Sequence, residues 1–224
     1  MNSSTPQRGR GGWPLVGSLL FLFCLLAPPA LAQLDIVGIR NSFPGRRIAG
    51  GTRGECWSRL FAHLVPANSV FSPGSPRLIG VLEGPAVNPR PLQLELRGLL
   101  PDGSPSTKGQ LLFRKEFPPL ASGVTLLLLP TLAKPVSWSS TYVCPEAEKP
   151  SDEHLFFVTS GEPSPLTLLL PSSPTKEDIK AREDLKLLYN ACGKTISRQQ
   201  LGGLFGFSDL EAGYWPNDLL VRCL

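Results

Sequence analysis

Twenty-four prolines are spread through the 224 residues, and they limit what this chain can become. Proline lacks a backbone donor and its ring collides with the preceding helical turn, so a mainly helical body is disfavoured. From Cys56 to about Leu170 the chain is a series of short apolar runs parted by turn residues, which is a strand pattern. Leu60–Val65 ends at Pro66, and Arg77–Leu82 lies between a Ser-Pro and a Gly-Pro turn. Leu92-Gln93-Leu94-Glu95-Leu96-Arg97 alternates strictly, with leucines on one face and polar residues on the other. Pro101-Asp102-Gly103 is a turn, and Gln110–Phe113 opens the next run. Val124–Leu129 is predicted to be buried on both faces or capped by another element, because it is apolar but for Thr125. Val136, Trp138, Ser140, Tyr142 and Cys144 share one face of a further strand, and Leu155–Val158 and Leu166–Leu170 complete the set. Regular short strands of this kind predict a mainly β fold, an antiparallel β-sandwich. An immunoglobulin-like form is one version of it, since Tyr142 precedes Cys144 by the two residues of a tyrosine corner. Against that version, no mid-chain tryptophan stands where that fold places one.

The N-terminal segment reads as a targeting signal. Arg8 and Arg10 form a basic start, Leu15 to Leu26 is apolar, and Pro28-Pro29 precedes the small-x-small sequence Ala30-Leu31-Ala32. Residues 1–32 are expected to be a cleaved signal peptide, the apolar stretch being shorter than the ~20 residues of a membrane span. Cleavage would leave 192 residues and lower the net charge from +4 to +2, too nearly neutral for nucleic-acid or polybasic membrane binding. Cys24 would leave with the signal. Cys56, Cys144, Cys192 and Cys223 would remain, an even number that reads as two disulfides in an exported chain. Three connectivities are possible. Cys56–Cys144 and Cys192–Cys223 are favoured because each pair lies within one compositional region.

Residues 33–55 are rich in Arg and Gly without periodicity and are expected to form an exposed N-terminal arm, followed by the sandwich over 56–170. Residues 171–224 are expected to be a linker and a small, disulfide-clipped C-terminal α-helical hairpin. In that tail Thr175 can cap a helix, with Glu177 and Asp178 near its positive end. Leu185, Leu188, Tyr189 and Cys192 fall on one helical face, and Gly193 ends it. Ser197–Phe205 is expected to be a second short helix.

Chemistry is sparsely signalled. The two histidines are His63, inside an apolar run, where a hydrogen-bonded structural role is commoner, and His154, beside Asp152 and Glu153. No GxSxG elbow, HExxH zinc motif or calcium loop is present, so no catalytic, cofactor or metal residue is assigned. One stretch invites a binding role, "RRIAGGTRGEC". Consecutive glycines that can take positive φ offer the backbone of an anion nest, and arginine forks suit carboxylate or sulfate. The candidate anion-binding residues are Arg46, Arg47, Gly50, Gly51, Thr52, Arg53 and Gly54. Glycine-rich punctuation is more often turn chemistry, and a structural turn leading to Cys56 is the preferred reading.

Three segments, "RRIAGGTRGECWSRLFAHLVP", "VSWSSTYVCPEAEKPSDEHLFFVTSG" and "LGGLFGFSDL", resemble an exported cyanobacterial family of unknown function, the type termed domain of unknown function 928. The resemblance covers most of the chain after residue 32 and rests chiefly on Gly-Gly-Thr-Arg-Gly-x-Cys. It departs after Leu-Val-Pro, where "RLIGVLEGPA" replaces an aromatic-rich strand. The resemblance implies a periplasmic, cell-envelope or thylakoid-lumen location and no established chemistry. The expected function is an exported binding or structural module whose partner is an envelope protein or an acidic glycan. The competing class is a glycan hydrolase using an acidic pair. A close acidic pair in a cleft would favour the hydrolase, and an acid-free, arginine-lined or flat apolar surface would favour the module.

Overall fold

The computed structural model describes residues 48–49, 59–145, 166–171, 174–207, 210 and 215–224. All of these lie in one compact unit, Ile36–Leu224. Strands β1 (Ile48–Ala49), β2 (Phe61–His63), β3 (Val70–Phe71), β4 (Leu78–Glu83), β5 (Leu92–Gly98), β6 (Leu111–Phe117), β7 (Gly123–Leu128), β8 (Val136–Tyr142) and β9 (Leu166–Leu169) come first. Helix α1 (Lys176–Asn190), strand β10 (Thr195–Ser197), helix α2 (Arg198–Phe205) and strand β11 (Asp218–Cys223) follow. The body is mainly β, with two sheets. One runs β1-β2-β4-β7-β11-β10 and the other β3-β9-β8-β5-β6.

The apolar runs became strands where expected, and the alternation of β5 survives intact. Leu92, Leu94 and Leu96 are buried while Gln93, Glu95 and Arg97 are half-buried on the outer face. The expected strand Leu155–Val158 lies outside the described residues. Two findings correct the expectation of a purely antiparallel sandwich with an appended helical hairpin. β3 pairs parallel with β9, and β11 pairs parallel with β7, Leu220 opposite Gly123 and Cys223 opposite Leu126. Parallel neighbours need a long crossover, and the segment from β9 through α1, β10 and α2 is part of the one that brings β11 beside β7. The tail is therefore helix–strand–helix–strand, and its two strands extend the first sheet.

Strand β4 shows why its sequence has no polar face. It lies between β2 and β7 and all six of its residues are buried. Phe61 and His63 of β2 reach β8 in the second sheet. On the opposite face of the first sheet, a Cβ built on Gly80 would lie 2.9 Å from side-chain atoms of Leu64 and Leu126 and 3.1 Å from Leu185 of α1. Gly80 is thus the point of closest approach between sheet and helix. Strand β7 is buried from Gly123 to Leu127, while Leu128 at its end is exposed.

Helix α1 starts where Thr175 predicted it. The Thr175 hydroxyl accepts from the Asp178 N–H at 3.3 Å and Asp178 Oδ2 accepts from the Thr175 N–H at 2.8 Å. Asp178 Oδ1 also accepts from the Ser72 N–H at 3.1 Å, so the cap ties the helix to the loop after β3. Its buried face carries Ala181, Leu185 and Leu188. Tyr189, expected on that face, points to solvent at 45 % exposure. Cys192 is disulfide-bonded to Cys223, as expected, and fastens the end of α1 to β11. Cys144 is also disulfide-bonded, with a partner outside the described residues. Tyr142 is buried and its hydroxyl has no hydrogen-bond partner, so the bond that defines a tyrosine corner is not made. Among the described residues no helix is long and apolar enough to cross a membrane.

Candidate functional site

The candidate anion nest, Arg46, Arg47, Gly50, Gly51, Thr52, Arg53 and Gly54, lies outside the described residues, as do Cys56, Asp152, Glu153 and His154. Of that region, Ile48–Ala49 is described, as the edge strand paired with β2.

His63 is fully buried between the sheets. Its ring stacks on Trp138 with centroids 3.6 Å apart, and its nitrogens lie 2.8 Å from Thr167 Oγ1 and 3.0 Å from Ser140 Oγ. The Trp138 indole N–H donates to the same Ser140 oxygen at 3.0 Å. Ser140 Oγ thus bridges the two stacked rings, and both imidazole nitrogens have a hydroxyl partner. Burial holds the imidazole well below its ordinary pKa, hence neutral. Serine beside histidine suggests nucleophilic catalysis. Here both are sealed from solvent and each polar atom is occupied, so the constellation joins β2 to β8 and β9 instead.

A charged cluster missed by sequence reading lies on the same face of the first sheet. Glu83, with no exposed surface, accepts from the Thr125 hydroxyl at 2.7 Å and pairs with Arg59 at 3.5 Å and Arg222 at 3.2 Å. Burial pushes the Glu83 carboxyl up, against the lowering effects of Thr125, Arg59 and Arg222. Arg59 also donates to the carbonyls of Gly84 and Leu120, and its guanidinium carbon lies 4.7 Å from the Tyr142 ring centre. Arg222 donates to Pro118 and to Thr125. The three charges therefore bind the end of β4, the β6–β7 loop and the C-terminal strand. The available signal was a lone charge inside each apolar run, in "SRLF", "GVLEG" and "LLVRCL".

Glu95 and Asp184 are also committed. Glu95 on the outer face of the second sheet pairs with Arg97 and Arg114, each at 2.7 Å. Partial burial favours its neutral form, but these bonds outweigh it and hold the carboxyl below its ordinary range. A shallow cleft of about 180 Å³ carries Glu177 and Asp184 with Lys180 between them. The two acids stand seven residues apart on α1, roughly 10.5 Å in axial rise. Asp184 is held by Lys180 at 2.6 Å. Among the described residues no group of three His, Cys, Asp or Glu is placed to hold a metal ion.

A cleft of about 570 Å³ runs along α2. Arg198, Gln199, Gly202, Gly203 and Gly206 line it, with Phe207 and Leu210. Ser197 starts the helix by accepting from the Gln200 N–H, and Gly206, at φ +67°, ends it in the left-handed conformation that glycine tolerates. Gly202 and Gly203 cost helix stability relative to alanine but leave the wall of the cleft without side chains. A Cβ on Gly203 would meet nothing within 4 Å. Arg198 donates to the Trp215 carbonyl at 3.0 Å, which fixes its guanidinium at the cleft, and no described carboxylate lines the site. Sequence reading placed this segment in a packing hairpin clipped by Cys192–Cys223, and did not single out its glycines. Comparison with family models, curated proteins and solved structures finds no match to the chain.

Proposed function

We propose that the chain is an exported cell-envelope binding or structural module, and that its binding face is the cleft along α2. The observation that carries this reading is a cleft of about 570 Å³ along α2, walled by Arg198 and by Gly202 and Gly203, which put no side chain into it. The buried His63 and Glu83 and the half-buried Glu95 are occupied in holding the fold together. That favours binding over the competing class, a glycan hydrolase. The Cys192–Cys223 bond supports export, since disulfides persist in oxidising compartments. Cleavage after Ala32, a periplasmic, cell-envelope or thylakoid-lumen location, the immunoglobulin-like form and kinship with the exported cyanobacterial family belong to the same proposal. So does the partner class, an envelope protein or an acidic glycan.

The test compares the protein with Gly203→Leu, which projects a side chain into the cleft from a position with open space around it. Retention of the protein on envelope material should fall at least tenfold in the variant at unchanged or higher melting temperature, leucine being the better helix former. Equal retention, or release of reducing sugar from envelope glycan by the pure protein, would refute the proposal.

A further inference from the structure

Among the described residues, four buried side-chain polar atoms have no hydrogen-bond partner, and three of them belong to one cluster. They are Arg59 Nη1, Glu83 Oε2 and the Tyr142 hydroxyl oxygen. Native folds leave few such atoms, and each calls for a physical explanation. Arg59 Nη1 lies 3.5 Å from Glu83 Oε2, longer than an ordinary hydrogen bond. The Arg59 guanidinium carbon is 4.7 Å from the Tyr142 ring centre. Phe61, opposite Glu83 in the β2–β4 ladder, meets the Tyr142 ring edge-on with centroids 5.4 Å apart. Burial, and after it the Glu83 charge, raise the Tyr142 phenol above its ordinary range. Its hydroxyl is therefore a neutral O–H within the field of that carboxylate. The remaining atoms of the ion pair are engaged elsewhere. Glu83 Oε1 accepts from Thr125 and Arg222, and Arg59 Nε and Nη2 donate to the Gly84 and Leu120 carbonyls. These bonds hold the two side chains with Nη1 and Oε2 close but unbonded.

We propose that Arg59 Nη1, Glu83 Oε2 and the Tyr142 hydroxyl form a binding site for one internal water molecule between the sheets. The site shares no residue with the α2 cleft and does not depend on the function proposed for that cleft. Its ligand is identified by donors and acceptors. The group bound here must accept from Nη1 and donate to Oε2. A water does both and keeps a proton and a lone pair for the phenol, giving the about three bonds usual for internal waters. A chloride would take Nη1 and the phenol, but it would face the Glu83 carboxylate and leave Oε2 unpaired. A metal cation would face the Arg59 guanidinium and leave Nη1 unpaired. Water adds no charge, and its bonds to two ionised groups are of the stronger kind, which offsets the entropy of holding it. The bound water joins Tyr142 of β8 to Glu83 of β4, so it is a further polar tie between the two sheets.

A crystal structure of the purified protein with ordered solvent refined reads the site directly, and a second crystal grown in bromide identifies a halide by anomalous scattering. The expected result is one water within hydrogen-bonding distance of all three atoms and no bromide among them. A direct Arg59–Glu83 bond through Nη1 and Oε2, a halide peak, or a solvent peak that reaches fewer than the three atoms would overturn the inference. In solution, oxygen-17 relaxation dispersion should detect a water held longer than the protein tumbles, and absence of any such water would overturn it too. Tyr142→Phe keeps the ring against Arg59 and Phe61 and removes only the hydroxyl. It should lower the folding equilibrium constant by about threefold or more, read from urea unfolding, because a formed bond is lost. Unchanged or increased stability would show that the phenol is unbonded in the wild type and would refute the three-atom site.

Discussion

Glu83 sits out of contact with bulk water between two guanidinium groups, and its energetics depend on all three charges remaining together. Removing one member of a buried pair strands the others, which typically costs 3–5 kcal/mol. Arg222 retains some solvent contact, so Glu83→Gln should destabilise by about 3 kcal/mol, read from urea unfolding. Glu95→Gln removes a carboxylate with two partners of its own, but Arg114 is half exposed, and surface pairs contribute at most about 1 kcal/mol. Equal losses in the two variants would show that burial does not govern these charges. His63 adds a pH dependence of definite sign. Its folded pKa is depressed by burial, so the stability it contributes is complete above the ordinary value of about 6.5 and is lost as pH falls below it. The maximum slope is about 1.4 kcal/mol per pH unit. Glu83 opposes it. With its folded pKa raised, the folded form takes up the proton first, and acidification towards the ordinary value relieves a cost. The difference between wild type and His63→Phe isolates the histidine, and unfolding followed from pH 7.5 to 5.5 should show a shallower decline in the variant. Identical slopes would mean that His63 is not held neutral by the fold.

Strand β6 forms an edge of the second sheet, and exposed edges invite pairing with other chains. Its inward set is Phe113, Lys115 and Phe117, opposite Leu96, Leu94 and Leu92 of β5. Lys115 thus points towards the sandwich interior at its rim, with its ammonium 5.6 Å from the Phe117 ring centre. An inward lysine makes docking of a second edge costly, because the charge would lose its water. Lys115→Val should therefore produce concentration-dependent association by light scattering where wild type shows none. A variant that remains monomeric would show that the edge is protected by other means. The elements differ in how far sequence alone predicts them. β5 was legible because its alternation is local and one face meets water. β7 was legible as a buried run and β4 only as a strand between turns, and nothing local tells whether a helix or a sheet covers them. β11 was not legible. Its parallel partner lies about a hundred residues earlier, and "DLLVRCL" follows helical signals that place it in a hairpin. The dipeptide strand β3 is too short to leave any period. At the candidate site, sequence reading concentrated on the one glycine-rich stretch that carried arginines. Gly202, Gly203 and Arg198 gained their meaning only when α2 placed them along one cleft.

At the scale of the whole molecule, the two sheets, α1 and the C-terminal strand share one core, with Trp138, Leu126 and Leu185 among its fully buried members. Polar groups inside that core hold layers together, and Glu95 and Asp184 are spent on ion pairs. Recognition is then assigned to a surface the fold keeps open, the cleft along α2. Amide hydrogen exchange, recorded with and without saturating envelope material, tests this assignment most directly. Bound material should slow exchange at least severalfold across Gln199–Gly206 and leave β5 and β6 unchanged. Protection confined to the outer face of the second sheet, around Gln93, Glu95 and Arg97, with α2 unaffected would contradict it.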